Sequence, residues 1–460
     1  MRGLLPGTAF ALAGALMLPQ AVRCADVEGG YSSVTPAIRP LLQPGQLNEA
    51  LARVREALGT SDGDPRRLCA LGDAMFRQSR FEEAEAAYSY AVRIDPGYGR
   101  AHLGLGRIAN LLSKRERARE QFATAFRLDP RDPDIILAFS SIVPDRESRR
   151  ILFRNFLVLA KDADPALAAD VISRLAVDRQ LGSRTLATLD SPYQAYRLPL
   201  ASFRPTGSST NGLLLAASIN GGKPLRLVVD SGASGIILNP AAPAGSRLEL
   251  LSQASIGGFG GSNPASATIA LAQTVEAGEW KIQNVLIQAS DRKLAPGADG
   301  IIGLDVFQDF LIRLDLRSHV LELLPFEGAS GSAMSPAYRL DHLLLLRGTV
   351  NGHAEGYFIL DTGSAVSVVS RDLVPPSGNA TALLGAQGEQ SAAMPAAPVS
   401  IRVGGQQLLD FEYASLDTRE ISRHHGTRIS GAIGYSLLRD FTLTINYRDG
   451  LVRMEKSARR

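Results

Sequence analysis

Cysteine, net charge and long apolar runs are all scarce in this chain of 460 residues, and each scarcity removes a class of protein. Two cysteines, Cys24 and Cys69, build neither a disulfide framework nor a zinc site of repeated spacing, so packed cores must supply the stability. A net charge of +3, from 49 Lys and Arg against 46 Asp and Glu, gives no basic surface that calls for nucleic acid. With 45% hydrophobic and 21% charged residues, the chain is neither wholly disordered nor a multi-span membrane protein. Its six histidines, including the adjacent His424 and His425, lack zinc-binding spacing, and neither a Gly-x-Ser-x-Gly elbow nor a phosphate-binding loop occurs. No metal and no cofactor are expected.

Glycine, by contrast, is plentiful at 44 residues, beside 25 prolines. At roughly 100 to 200 residues per domain, the length predicts two to four domains. After Met1-Arg2, an apolar stretch from Gly3 to Val22 carries Leu4, Leu5, Phe10, Leu12, Leu16 and Leu18 and reads as a secretory signal over 1–25. The expectation is export, periplasmic or secreted. The mature chain then has no membrane span, unless the N-terminal segment is retained as an anchor.

Self-comparison at an offset of 34 superimposes Leu71-Gly72 on Leu105-Gly106, Ala84 on Ala118, Tyr88 on Phe122, Ala91 on Ala125, and Asp95-Pro96 on Asp129-Pro130. These positions resemble the tetratricopeptide repeat. The resemblance implies pairs of antiparallel helices with small residues where they touch, an aromatic knob and a closing proline. Ala50, Val54 and Ala57 mark a partial unit before, and residues 134–165 a degenerate one after. Within the array, Gly104-Leu-Gly106-Arg-Ile-Ala109 matches dinucleotide-binding spacing, but no strand precedes it and Gly106 already has a packing role. The array is expected to bind a protein partner or to dock on the rest of the chain.

A second repeat has an offset of 131, in a region of short β-rich runs punctuated by glycine. Asn220-Gly221 falls on Asn351-Gly352, Asp230-Ser231-Gly232 on Asp361-Thr362-Gly363, Ile302-Gly303 on Ile433-Gly434, Phe310 on Phe441, and Arg317 on Arg448. Each Asp follows an apolar strand and precedes its paired glycine, Gly303 or Gly434, by 73 residues. The carboxylates therefore belong on tight turns. Gly300-Ile-Ile-Gly303 and Gly431-Ala-Ile-Gly434 are suited to pass beside them, because glycine admits a close backbone.

These elements, Val229-Asp-Ser-Gly-Ala233 with Gly300–Gly303 and Leu360-Asp-Thr-Gly-Ser364 with Gly431–Gly434, resemble the signatures of aspartic proteases. The predicted fold class is thus multidomain: a short α-helical tetratricopeptide-like array, then a bilobal all-β aspartic protease fold of two duplicated retropepsin-like lobes. The expected organisation is a signal at 1–25, a linker at 26–44, helices at 45–178, a linker at 179–204, a first lobe at 205–326, a linker at 327–340 and a second lobe at 341–457.

The resemblance implies that Asp230 and Asp361 share a proton and activate water by general acid and base action. Ser231, Gly232, Ala233, Thr362, Gly363, Ser364, Gly303 and Gly434 would support them. The hydroxyls of Ser231 and Thr362 would bond across the lobe interface. A Ser364 hydroxyl donating to its own carboxylate, which Ala233 cannot match, would leave Asp361 the more readily ionised partner. Gly257, Gly258, Phe259 and Gly260 form a candidate flap in the first lobe, and Gly385-Ala-Gln-Gly-Glu-Gln390 a weaker copy in the second. The expected function is an exported aspartic endopeptidase acting on a protein or peptide substrate, with the helical array binding protein. The alternative is a protease-like peptide-binding scaffold that has lost turnover, and lobes that pair between chains would make the active unit a homodimer.

Overall fold

A computed structural model describes residues 64–457 except 161–164, 204–211, 244, 257–264, 295–296, 327–333, 353, 378, 386–387, 395–396 and 411–412. The expected signal at 1–25, the linker at 26–44 and the first part of the array, 45–63, lie outside the described residues. Among those described, no helix is long and apolar enough to cross a membrane.

The helices are α1 (Pro65–Arg77), α2 (Phe81–Ile94), α3 (Gly99–Leu111), α4 (Arg115–Leu128), α5 (Pro133–Ser140), α6 (Arg146–Leu159) and α7 (Pro165–Leu181). Caps start several of them. Asp64, Asp132 and Asp145 each accept a backbone N–H in the first turn of α1, α5 and α6, and proline opens the first two. The 34-residue period is structural: Ser79 and Ser113 both turn the chain with positive φ, 62° and 57°. It is also a packing rule. The fully buried Tyr88 ring lies on Gly72 and Gly104, where an added Cβ would come within 2.6 and 2.5 Å of it, and Phe122 lies likewise on Gly106 at 2.4 Å. The dinucleotide-like spacing is therefore mid-helix in α3, its glycines making room for two aromatic rings.

The strands of the first half are β1 (Thr188–Leu189), β2 (Tyr196–Phe203), β3 (Gly212–Ile219), β4 (Leu225–Asp230), β5 (Ile236–Leu238), β6 (Glu249–Ile256), β7 (Ala265–Ala277), β8 (Trp280–Ser290), β9 (Gly300–Gly303), β10 (Leu311–Asp315) and β11 (Val320–Leu324). The second half has β12 (Ser335–Pro336), β13 (Tyr338–Leu340), β14 (Leu343–Val350), β15 (Ala354–Leu360), β16 (Ser367–Ser370), β17 (Asn379–Gly385), β18 (Gly388–Met394), β19 (Val399–Val403), β20 (Gln406–Asp410), β21 (Tyr413–Leu416), β22 (Gly431–Ile433), β23 (Phe441–Asn446) and β24 (Leu451–Lys456). Two short helices, α8 (Arg419–His424) and α9 (Tyr435–Leu438), flank β22.

The halves repeat one another in register. β9 runs parallel to β4 and antiparallel to β5, and β22 does the same between β15 and β16, so Val229 faces Ile302 as Leu360 faces Ile433. Asn220-Gly221 and Asn351-Gly352 close the β3–β4 and β14–β15 hairpins with positive φ at all four residues, the conformation that suits twisted strands. The halves join within the chain through β10 and β23, Ile312 opposite Ile445 and Leu314 opposite Leu443. One apolar core runs through both, from Leu227 and Phe307 to Phe358 and Leu443.

Two stretches expected as linkers are structured. In 179–204, α7 continues to Leu181, and β2 pairs first with β11 and then with β3. Its side chains alternate buried and exposed from Tyr196, and Pro199, which reads as a breaker, falls opposite Val320 where the strand changes partner. In 327–340, β12 pairs with β24 and β13 with β14, so the second half begins before residue 341.

The helical array packs on the β region at both ends. Phe81 is buried with its ring centroid 5.2 Å from Tyr338 and 4.9 Å from Tyr357, in an apolar cluster shared by α1, α3, β14 and β22. The Thr427 hydroxyl donates to the Phe76 carbonyl at 2.7 Å, and the Arg428 N–H to the Arg77 carbonyl at 2.8 Å. At the other end, α7 meets β6: the Gln180 amide donates to the Leu251 carbonyl at 2.6 Å, and Ser173 bonds Ser252. Phe81→Ala is expected to cost about 3–5 kcal/mol and to separate array unfolding from β unfolding. Urea titration followed by far-UV circular dichroism and by intrinsic fluorescence reads both, and coincident, unshifted curves would contradict the docking.

Candidate active site

Both Asp turns lie where an apolar strand ends and the passing segment crosses it. Asp230 is the last residue of β4, and Asp361 follows β15, its N–H donating to the Ile433 carbonyl at 3.1 Å. The passing segments need their glycines: a Cβ on Gly303 would sit 2.4 Å from the Ala233 carbonyl oxygen, and one on Gly434 2.3 Å from that of Val366. The glycines of the turns themselves act across the halves. A Cβ on Gly363 would fall 2.2 Å from the Asp230 Cγ, and one on Gly232 2.9 Å from the Asp361 Cγ. Each turn thus packs bare backbone against the opposite carboxylate, and that contact brings Asp230 and Asp361 together.

A crossed set of hydrogen bonds locks the arrangement. The Ser231 hydroxyl donates to the Leu360 carbonyl at 2.7 Å and accepts the Thr362 N–H at 3.0 Å. Thr362 returns both: its hydroxyl donates to the Val229 carbonyl at 3.0 Å and accepts the Ser231 N–H at 3.0 Å. Ser231 and Thr362 are buried, so losing either hydroxyl strands a backbone N–H and a carbonyl of the other half.

The two carboxyls keep a partly exposed edge. Burial raises the pKa of Asp230 well above the carboxylate range, the neighbouring Asp361 charge adds to it, and the N–H groups of Gly232 and Gly363 hold it back. Asp361 is raised by burial too, against the N–H of Ser364, a hydrogen bond from Asp230 and the N–H of Gly363. Both carboxyls are thus pushed toward the protonated form, Asp230 with the added push of its neighbour's charge. The Ser364 hydroxyl that was expected to donate to Asp361 does not do so. The Ser364 hydroxyl donates to the Val366 carbonyl at 2.8 Å, while the Ser364 backbone N–H bonds Asp361 at 2.9 Å. A serine at 233 would thus add no comparable hydroxyl by analogy. Ala233 is buried in its turn.

Two residues near the dyad escape a reading by motif. Asp305 accepts the Ser234 hydroxyl at 2.7 Å and the Gly235 N–H at 2.9 Å, bracing the first turn from beneath. Ser436 occupies the equivalent place in the second half, so the break in the 131-residue repeat was the available signal. His342, just before β14, donates from Nε2 to the Gly232 carbonyl at 3.3 Å, reaching across the halves, and nothing in its sequence context marks it. The candidate flap, Gly257, Gly258, Phe259 and Gly260, lies outside the described residues; the β6–β7 hairpin leading to it closes at Ile256 and Ala265. In the second half, Gly385 and Gly388 close the β17–β18 hairpin. Among the described residues, no three His, Cys, Asp or Glu side chains converge as a metal would require.

Residues 215–306 match the family model described as aspartyl protease, and residues 41–99 and 69–133 match the tetratricopeptide repeat model. The chain carries an aspartyl protease domain behind tetratricopeptide repeats. No curated protein matches the sequence. The protease match takes in Asp230, Ser231, Gly232, Ala233 and Gly303, and it ends one residue past the bracing Asp305.

A raised carboxyl pKa is a cost to folding that grows with pH. The native protease domain holds a proton that the unfolded chain gives up near pH 4, so this contribution is favourable at low pH and lost as pH rises through the native value of Asp230. Asp230→Asn removes the loss. The melting temperature of the variant relative to wild type is expected to be higher at pH 7 than at pH 4, and an equal difference at both would show that Asp230 is not held protonated.

Proposed function

We propose that this protein is an exported aspartic endopeptidase whose two halves are duplicated retropepsin-like lobes, the first beginning with β2 and the second with β12, each contributing one catalytic Asp. The observation that carries the reading is the crossed Ser231–Thr362 bonding, which holds two carboxyls of unequal proton affinity in contact. Ionised Asp361 takes a proton from water as its oxygen attacks the peptide carbonyl carbon, and Asp230 gives its proton to the carbonyl oxygen. Collapse of the tetrahedral species returns a proton to the leaving nitrogen as the C–N bond breaks. Gly232, Gly363, Gly303 and Gly434 admit the close packing, Ser231 and Thr362 fix the halves, and Ala233 and Ser364 complete the turns. The glycine-rich segment Gly257–Gly260 is assigned as the flap.

The tetratricopeptide repeats support protein binding, and in this structure part of the array already binds the chain's own second half. The apolar N-terminal stretch supports export.

Digestion of an unfolded protein across pH 3 to 8 tests the reading. Wild type is expected to show a bell, rising as Asp361 ionises and falling as Asp230 loses its proton. Asp230→Asn and Asp361→Asn are each expected to lower kcat/KM by roughly 1,000-fold. Equal activity in all three proteins would remove the dyad, and peptide binding without cleavage by wild type would establish the scaffold alternative.

A further inference from the structure

Gly232 touches both carboxyls from the first turn. Its N–H donates to Asp230 Oδ1 at 2.7 Å, and its bare Cα lies against Asp361, where an added Cβ would come 2.9 Å from the carboxyl carbon. The second contact requires glycine, and glycine has the most backbone freedom to lose, so it is the residue least able to hold its own conformation. The bond that steadies it comes from the other half: His342 reaches the Gly232 carbonyl from Nε2 at 3.3 Å. Because a carbonyl oxygen only accepts, Nε2 carries the hydrogen.

His342 is itself firmly placed. Leu340 pairs with Leu343, so Asp341 and His342 form the two-residue tip of the β13–β14 hairpin, with Asp341 at a φ of 56° to make the turn. Arg339, in the hairpin stem, donates to the Asp341 carbonyl at 2.8 Å, to the Tyr447 carbonyl at 3.2 Å and to the Gln308 amide oxygen at 3.2 Å, and so ties the tip to both halves. At the start of the stem, the Tyr338 ring lies 5.2 Å from Phe81 of the array and 4.9 Å from Tyr357. The half-buried His342 is thus carried to the active-site turn on a braced support.

We propose that His342 is a positioning residue of the dyad: by fixing the Gly232 carbonyl it fixes the N–H that Gly232 gives to Asp230 and the backbone that Gly232 lays against Asp361. The proposal rests on the protease reading and adds to it a residue that lies outside both Asp turns. His342 acts through one bond, so what matters is an N–H donor at the reach of Nε2 and not an imidazole that gains and loses protons. A glutamine amide supplies such a donor, whereas phenylalanine keeps a ring and supplies none. The Gly232 N–H opposes the raised pKa of Asp230 more than that of Gly363 does, so loosening Gly232 lets that pKa rise further.

The test is the pH profile of kcat and kcat/KM on one peptide that wild type cleaves, measured for wild type, His342→Phe and His342→Gln, with melting curves confirming that each is folded. His342→Phe is expected to lower kcat roughly tenfold with little change in KM, and to move the alkaline limb to higher pH. His342→Gln is expected to recover most of kcat and the wild-type limb. Asp361 and the buried Tyr447 lie within electrostatic range of Asp230, and Asp305 braces the same turn; His424 and His425 lie within range of His342, and Arg339 and Asp341 share its hairpin. All are kept in every variant, and Gln and Phe are both uncharged, so a limb that moves in one and not the other reports the bond and not a lost charge. If His342→Phe does not fold, His342→Met, which also lacks a donor, takes its place. An unchanged profile in the folded variant without a donor, or an equal loss in it and in His342→Gln, overturns the positioning role alone. Absence of any cleavage by wild type overturns the protease reading and the positioning role with it.

Discussion

Two carboxyl groups held in contact repel when both are charged, and the rest of this protein is organised to tolerate that contact. The cost falls when one group keeps its proton, and backbone N–H groups favour the charged form on each side, those of Gly232 and Gly363 at Asp230 and those of Ser364 and Gly363 at Asp361. None of this survives a small separation of the halves. Three features oppose separation: the crossed Ser231 and Thr362 bonds at the turns, the β10–β23 ladder, and a core shared by both halves. The bonds at the turns also add direction. Each hydroxyl donates to the strand that leads into the opposite Asp, so a sliding motion breaks donors and acceptors in both halves together.

The repeat is nearly symmetric in backbone and deliberately unequal in chemistry. Beneath the first turn, a buried carboxylate, Asp305, holds Ser234 and Gly235; beneath the second, the hydroxyl of Ser436 accepts the Ser367 N–H at 3.3 Å. The first turn also takes a hydrogen bond from His342, across the halves. A dyad needs one group to keep a proton and the other to lose it. Identical surroundings would leave that choice undetermined, whereas here the N–H donors differ, Gly232 and Gly363 at Asp230 against Ser364 and Gly363 at Asp361, and unequal braces lie beside the two turns.

Much of the site is legible in the sequence because the 131-residue offset shows each part twice. Asp230 and Asp361, their following hydroxyl and glycine, and the passing glycines at 303 and 434 stand at one common offset, and the structure brings all of them together. The helical period is legible for a similar reason, since Tyr88 and Phe122 each require glycine partners. What does not repeat is harder to read. Asp305 and His342 act in one half only, and β2 hides behind Pro199 although its side chains alternate. The contact between Ser79 and Thr427 joins residues 348 apart with no pattern linking them. Local period predicts elements, while such contacts depend on how finished elements meet.

The array shows what that meeting accomplishes. Its first helices pack on β14 and β22, the second of which passes beside Asp361, and its last helix packs on β6, one strand of the hairpin that leads to the glycine-rich segment 257–260. A helical layer attached at both places contacts each half. Ser79 and Ser113 use the same strained turn of their repeats to do it, one against Thr427 and Arg428, the other against Gly450. Serine in the left-handed region is held there at a cost, so two repeats that both retain it at a contact point place the constraint at the seam rather than within the helices. The repeats are therefore packed into the frame around the two carboxyls, and the faces they bury there are committed to this chain.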